Sequence, residues 1–212
     1  MGAILLCYVP FAQGVLGAME GAMIDISSCL DIPGWMSELE LTWLAEQASK
    51  AERIIEVGSW CGRSTRALAL HTPGTVWAVD AWTSMLGGYA DNQTKREAED
   101  AYAKFIDNLG EFVFSTKHPA KVNVMRINSL TTAGMLAIRY GNHYFDMVFL
   151  DGDHSYEQVS AEIIHYKPLI KPGGMLCGHD LGHGGVNQAV RELVPEYQAV
   201  EGTQLWWTVK NA

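Results

Sequence analysis

Ile54-Ile55-Glu56-Val57-Gly58-Ser59-Trp60-Cys61-Gly62-Arg63-Ser64-Thr65 decides the fold. An apolar run ends on an acid, a glycine-bearing turn follows, and a Ser/Thr pair opens a helix. A buried strand feeding a tight turn and a helix N-terminus is a nucleotide-type ligand site in outline. Gly58 and Gly62 let the backbone approach a ligand with no Cβ in between. Glu56 discriminates among ligands, because a carboxylate at the strand end suits hydroxyls or a cationic amino group and repels a pyrophosphate. The spacing also departs from Gly-x-Gly-x-x-Gly, since Trp60 stands at the second glycine position. An NAD-dependent oxidoreductase would share the fold and the later ribose acid, and both features count against it.

Upstream, Ser37 caps a helix expected over Glu38 to Ala51, with Leu41, Leu44, Ala45 and Ala48 at helical spacing. Downstream, a helix from Ser64 to His71 stops at Thr72-Pro73-Gly74. A second strand, Thr75 to Val79, then ends on Asp80. An acid about 20 residues past the glycine turn commonly takes a ribose hydroxyl pair. Residues 82–109 read as a lid insertion, a glycine-containing loop and then an amphipathic helix from Thr94 to Leu109.

Strands at Val122 to Ile127, Phe145 to Leu150 and Met175 to Cys177 alternate with helices at Thr131 to Tyr140, Tyr156 to Tyr166 and Val186 to Leu193. Tyr197 to Val200 and Leu205 to Val209 bracket a hairpin signal. The expected architecture is α/β, a Rossmann-like doubly wound and mostly parallel sheet with a C-terminal antiparallel hairpin. Residues 1–212 read as a single domain with 1–36 as an N-terminal extension, in which Ile4 to Val9 is a short strand followed by a helix.

Composition narrows the function classes. The chain carries 15 basic and 24 acidic residues, net charge -9, so no basic surplus exists to replace the counterions of a nucleic acid. The uncharged stretch Gly2 to Met19 lacks a basic leader region and is broken by Pro10, Gly14 and Gly17, which fits neither a signal peptide nor a membrane helix. Cys7, Cys29, Cys61 and Cys177 form no Cys-x-x-Cys pair and read as buried thiols of a reducing, cytoplasmic compartment.

In an open parallel sheet, ligands bind beyond the carboxyl ends of the strands. Those ends carry Glu56, Asp80, Asn128, Asp151 and His179-Asp180. The densest cluster is Asp151-Gly152-Asp153-His154-Ser155, whose two carboxylates and imidazole suit acid–base work or a hard cation. Asp153 and Ser155 also suit the capping of the following helix. His183 follows His179 by four residues, but the glycines around it favour a loop over a zinc-binding helix.

These residues resemble class I S-adenosylmethionine-dependent methyltransferases, in particular the methyltransferase 24 type of small-molecule O-methyltransferases. The resemblance is carried by Glu56-Val57-Gly58-Ser59-x-x-Gly62-Arg63-Ser64-Thr65, Asp80, Asp151 to Tyr156, and Lys171-Pro172-Gly173-Gly174 through His179-Asp180, over roughly residues 32–193. It implies a cofactor site of Glu56, Gly58, Ser59, Gly62, Ser64, Thr65, Asp80, Trp82, Asn128, Ser129 and Asp151. Glu56 would lie near the amino group of S-adenosyl-L-methionine, Asp80 on the ribose, Asn128-Ser129 by the adenine, and Trp82 stacked on it. His154, with Asp151 and Asp153, would do the chemistry. Asp151, His179 and Asp180 would form a metal set for magnesium or another divalent cation, although histidine is a poorer magnesium ligand than a carboxylate. The expected partner is a small-molecule acceptor, with no nucleic acid and no membrane, and the chain is expected to form a homodimer. A non-catalytic or cephalosporin-hydroxylase-like S-adenosylmethionine-binding protein is the alternative on the same scaffold.

Overall fold

The computed structural model describes residues 24–83, 92–114 and 121–211. The strand expected at Ile4 to Val9 and the tip of the expected lid, residues 84–91, lie outside them.

Seven strands form one sheet in the order β3-β2-β1-β4-β5-β7-β6. The strands are β1 (Arg53–Val57), β2 (Thr75–Val79), β3 (Lys121–Met125), β4 (Phe145–Leu150), β5 (Ile170–Gly178), β6 (Gln198–Ala199) and β7 (Trp206–Val209). The first five pair in parallel, and β7 runs antiparallel to both β5 and β6. The expected terminal hairpin is therefore present on an edge of a parallel sheet. All six residues of β4 are buried, as are four of the five in β1 and in β2, which is why they read as mostly apolar runs, with Glu56 and Asp146 the buried exceptions.

Helices cover both faces. On one lie α1 (Ser27–Leu30), α2 (Glu38–Ala48), α3 (Arg63–His71) and α4 (Asn92–Val113), packing Leu41, Leu68, Phe105 and Leu109 against Ile54 and Phe149. On the other lie α5 (Ser129–Tyr140), α6 (Tyr156–Tyr166) and α7 (Gly184–Leu193), whose Leu136, Ile163 and Val190 pack on Ile55 and Val148. Arg63 ties the chain before α2 to the start of α3 through the carbonyls of Leu30, Gly34 and Met36. Among the described residues no helix is long and apolar enough to cross a membrane.

The helix expected within a lid has a different role. Parallel pairing of β2 with β3 requires a crossover, and α4 supplies it, with Phe105, Leu109 and Phe112 buried in the core. Helix α4 thus packs into the core as the connection between β2 and β3. Element ends also move. Asn128 accepts hydrogen bonds from Leu130 and Thr131 N–H and so starts α5 at Ser129. Strand β5 continues back through Gly173 (φ +77) to Ile170, with a register shift opposite Phe145 to Met147.

Strand order reverses at β1, which pairs with β2 on one side and β4 on the other. That reversal opens a crevice at the carboxyl ends. There the two loops nearly touch: a Cβ on Gly58 (φ +87) would run into the carbonyl of Asp151, so the close approach requires glycine.

Candidate active site

The loop after β1 is built around two buried acids. Glu56 is fully buried, and its Oε2 accepts hydrogen bonds from the hydroxyls of Ser59 (2.6 Å) and Thr65. Its Oε1 has no hydrogen-bond partner among the described residues. Burial raises the Glu56 pKa, hydrogen bonds from Ser59, Ser64 and Thr65 oppose that shift, and the charge of Asp80 adds to it. Three hydroxyls expected at the cofactor thus turn toward Glu56, an arrangement that requires the β1 end and the first turn of α3 to be seen together.

Asp80 is occupied in a way the sequence did not announce. Its Oδ2 accepts the backbone N–H of Ser59 (3.1 Å) and Trp60 (2.9 Å), and its Oδ1 that of Trp82 (2.6 Å). Burial raises its pKa, and these amides oppose the shift. Both tryptophans have left-handed backbones, φ 40 at Trp60 and φ 45 at Trp82. Such a conformation costs a bulky residue on the order of 1–3 kcal/mol and persists only where surrounding contacts enforce it. The Asp80 clamp does so, together with a hydrogen bond from Trp82 Nε1 to the Trp60 carbonyl (2.7 Å).

Residues expected at the adenine already have partners within the protein. Trp82 is 2% exposed and packs edge-on against Tyr102 and Phe105, with ring centroids 4.9 Å away in each case, so it is a core residue and not an open stacking surface. Asn128 spends its side-chain oxygen as the cap of α5, and Ser129 Oγ donates to Glu162 Oε1 (2.7 Å).

The loops after β4 and β5 bring Asp151, His154, His179 and Asp180 to one cavity, which Asp153, Glu162 and Trp206 also line. His154 Nε2 lies 2.7 Å from Asp180 Oδ2, and its ring stacks on His183 with centroids 4.6 Å apart. Asp180 holds this position with φ 58. Asp153 accepts the Ser155 N–H (2.6 Å) and Ser155 caps α6, so one oxygen of Asp153 holds the turn.

His179 is 7% exposed. Its Nε2 is 3.0 Å from Glu40 Oε1, and its Nδ1 is 3.5 Å from Asp151 Oδ1 and 3.4 Å from Asp180 Oδ1. Burial alone would lower its pKa, but the hydrogen bond to Asp180 and the charges of Asp151, Asp180 and Glu40 outweigh it and raise the pKa to about 9. Burial likewise raises Asp151, with the positive charge of His179 opposing. Asp180 is lowered: the histidines around it outweigh its burial.

The sign for stability follows. His179 is raised above its ordinary 6.5, so its contribution is complete below pH 6.5 and is lost as pH rises through about 9. Asp151 is also raised, to about 8, and adds a slope of the same sign that begins below that window and overlaps its lower part. Urea unfolding is expected to show a loss on the order of 3 kcal/mol between pH 6.5 and 9, and a flatter profile in His179→Asn. A profile identical in the two proteins would remove His179 as the cause.

Donor atoms of Asp151, His179 and Asp180 lie within 4.8 Å of one another, close enough for one ion. Their chemistry does not fit magnesium, which takes oxygen ligands in near-octahedral geometry. One donor is an imidazole, whose other nitrogen faces Glu40. S-adenosylmethionine fits better. The unpartnered Oε1 of Glu56 and the neighbouring charges of Asp80 and Asp151 favour a ligand that carries a cationic amino group and a sulfonium.

A sheet in this order, with acids at the ends of β1, β2 and β4, has the architecture expected of a class I S-adenosylmethionine-dependent methyltransferase. The model of the methyltransferase domain family matches residues 55–181, more than half of the chain, and the chain belongs to that family. Among solved structures it is similar to the TDP-rhamnose 3'-O-methyltransferase of calicheamicin biosynthesis (16% identity, covering 81% of this chain and 77% of that one, TM-score 0.53). It is also similar to the O-methyltransferase TomG of Streptomyces achromogenes in complex with S-adenosylmethionine (16%, 84% and 82%, 0.55). A third likeness is to an O-methyltransferase of Bacillus cereus in complex with S-adenosylhomocysteine (14%, 86% and 86%, 0.55). At these identities the likeness is one of fold. No curated protein sequence matches the chain.

Proposed function

We propose that this methyltransferase acts on a small-molecule hydroxyl, with His154 as the general base. The observation that carries the reading is the 2.7 Å contact between His154 Nε2 and Asp180 Oδ2. A carboxylate accepts only, so Nε2 holds the hydrogen and Nδ1 is left as the basic nitrogen. Asp180 orients the ring, and stacking on His183 supports its other face. An acceptor hydroxyl lying beside Asp151 and Asp180 gives its proton to His154 as its oxygen becomes nucleophilic. The remaining contribution is positioning and the exclusion of water by Leu150, Val186 and Trp206.

At the donor end, the loop from Gly58 to Gly62 would receive the methionine moiety, with Glu56 and Asp151 supplying negative charge. The bound donor supplies an electrophilic methyl group on a sulfonium. Asp80 retains spare acceptor capacity for one ribose hydroxyl beside its three backbone amides. A small acceptor is also what two relatives suggest, since their names place them in the methylation of TDP-rhamnose and in tomaymycin synthesis. A sugar or phenolic hydroxyl is the acceptor class to test first.

Calorimetry tests the donor end. S-adenosylhomocysteine is expected to bind in the micromolar range, NAD not to bind, and magnesium to leave the titration unchanged. Binding of NAD without either adenosyl compound would overturn the reading. A panel of phenols and nucleotide sugars with labelled donor then separates an active enzyme from a binding protein, and donor binding with no methyl transfer to any of them would favour the latter.

A further inference from the structure

Glu40 lies on α2, outside the residues matched by the family, yet its carboxylate reaches the acceptor end of the site. It is 5% exposed, and both oxygens are fully used. Oε2 accepts from Ser37 N–H (2.7 Å) and Ser37 Oγ (2.8 Å), which completes the capping box of α2. Oε1 accepts from the Gln204 N–H (2.9 Å) and faces His179 Nε2 (3.0 Å). Gln204 in turn holds the loop that follows His179: its carbonyl accepts from Leu181 N–H (3.0 Å) and its Oε1 from Gly182 N–H (2.8 Å). One oxygen thus joins α2, the turn before β7 and the loop after β5.

We propose that Glu40 is a positioning residue of the acceptor end, fixing the His179 ring with Nε2–H toward α2 so that Nδ1 is presented to Asp151 and Asp180. An ionised carboxylate only accepts, so the nitrogen facing it must carry hydrogen. Flipping the ring would place a C–H against Glu40 and leave a buried carboxylate oxygen short of a partner, at a cost comparable to losing a charge-assisted hydrogen bond. A carboxylate behind a histidine is a common way to fix which ring nitrogen faces a site. Here it also makes the site depend on two elements, α2 and the terminal hairpin, that lie beyond the matched domain. Assigning His179 to the acceptor end rests on the function proposed above, whereas the Glu40 contact does not.

The test reads the ring proton directly, by nitrogen–proton correlation spectroscopy of the full chain labelled at histidine. Wild type is expected to show an exchange-protected Nε2–H that is absent from His179→Asn. In Glu40→Gln, which keeps the volume but not the charge, that proton should exchange about ten-fold faster or more. In Ser37→Ala, which alters only the other oxygen of Glu40, it should exchange as in wild type. If Glu40→Gln does not fold, Glu40→Asp withdraws the carboxylate by one methylene and should show the same loss of protection. Wild-type protection in a folded Glu40 variant, or no protected Nε2–H in wild type, would overturn the assignment. Calorimetry with S-adenosylhomocysteine on the same samples reads the donor end separately, so failure of the functional reading is not confused with failure of this one.

Discussion

His154→Ala is expected to lower methyl transfer by about 10²–10⁴-fold while S-adenosylhomocysteine affinity stays within about two-fold of wild type. The loss should fall on kcat, because the His154 ring is held by Asp180 and His183, on the acceptor side of the site. Its side chain is 32% exposed, open enough to meet an acceptor yet held on two sides. Asp180→Asn should act in the same direction, since an amide in place of Oδ2 no longer dictates which ring nitrogen keeps its proton. Wild-type turnover in His154→Ala with normal donor binding would move the base elsewhere.

In ligand-free protein, Asp80→Ala is expected to reduce stability by roughly 2–4 kcal/mol, measured by urea unfolding. The substitution leaves the amides of Ser59, Trp60 and Trp82 without their acceptor. Ser59 and Trp82 are 3% and 2% exposed, so water does not readily replace it. The left-handed backbones at Trp60 and Trp82 also lose the clamp that holds them, and the donor loop should loosen with them. Donor affinity is therefore expected to fall together with stability. If Asp80 served only a ribose, the free protein would be as stable as wild type, and that result would sink the clamp.

The parallel sheet was legible because its central strands are mostly apolar and its turns carry glycine and proline at short intervals. The strand ends could be read for the same reason: an acid directly after Val-Trp-Ala-Val or Met-Val-Phe-Leu stands out against its run. The helix Asn92–Val113 could not be placed from its sequence, because its amphipathic pattern is the same for a cover and for a crossover. Only the pairing of β2 with β3 distinguishes the two. For Trp82 the limit is similar: an aromatic near a ligand site reads as a stacking surface, and its packing against Tyr102 and Phe105 is visible only in the fold. Glu40 was read only as part of a helix. Its capping partner Ser37 was visible, but His179 is 139 residues away and Gln204 is 164.

The stretch from Ile54 to Thr65 determined by itself that a strand, a glycine turn and a helix would form a ligand loop, because local periodicity and turn chemistry are properties of neighbours in the chain. The later acids determined that this loop would open on hydroxyls and positive charge. Tertiary structure decided which of those groups are available. Glu56 gathers the hydroxyls of its own loop, Asp80 clamps two strained tryptophans, and His179 sits between three carboxylates from three different segments. A carboxylate shows its charge in the sequence, but its hydrogen-bond partners are fixed only when distant segments are packed together, and those partners set what it can do.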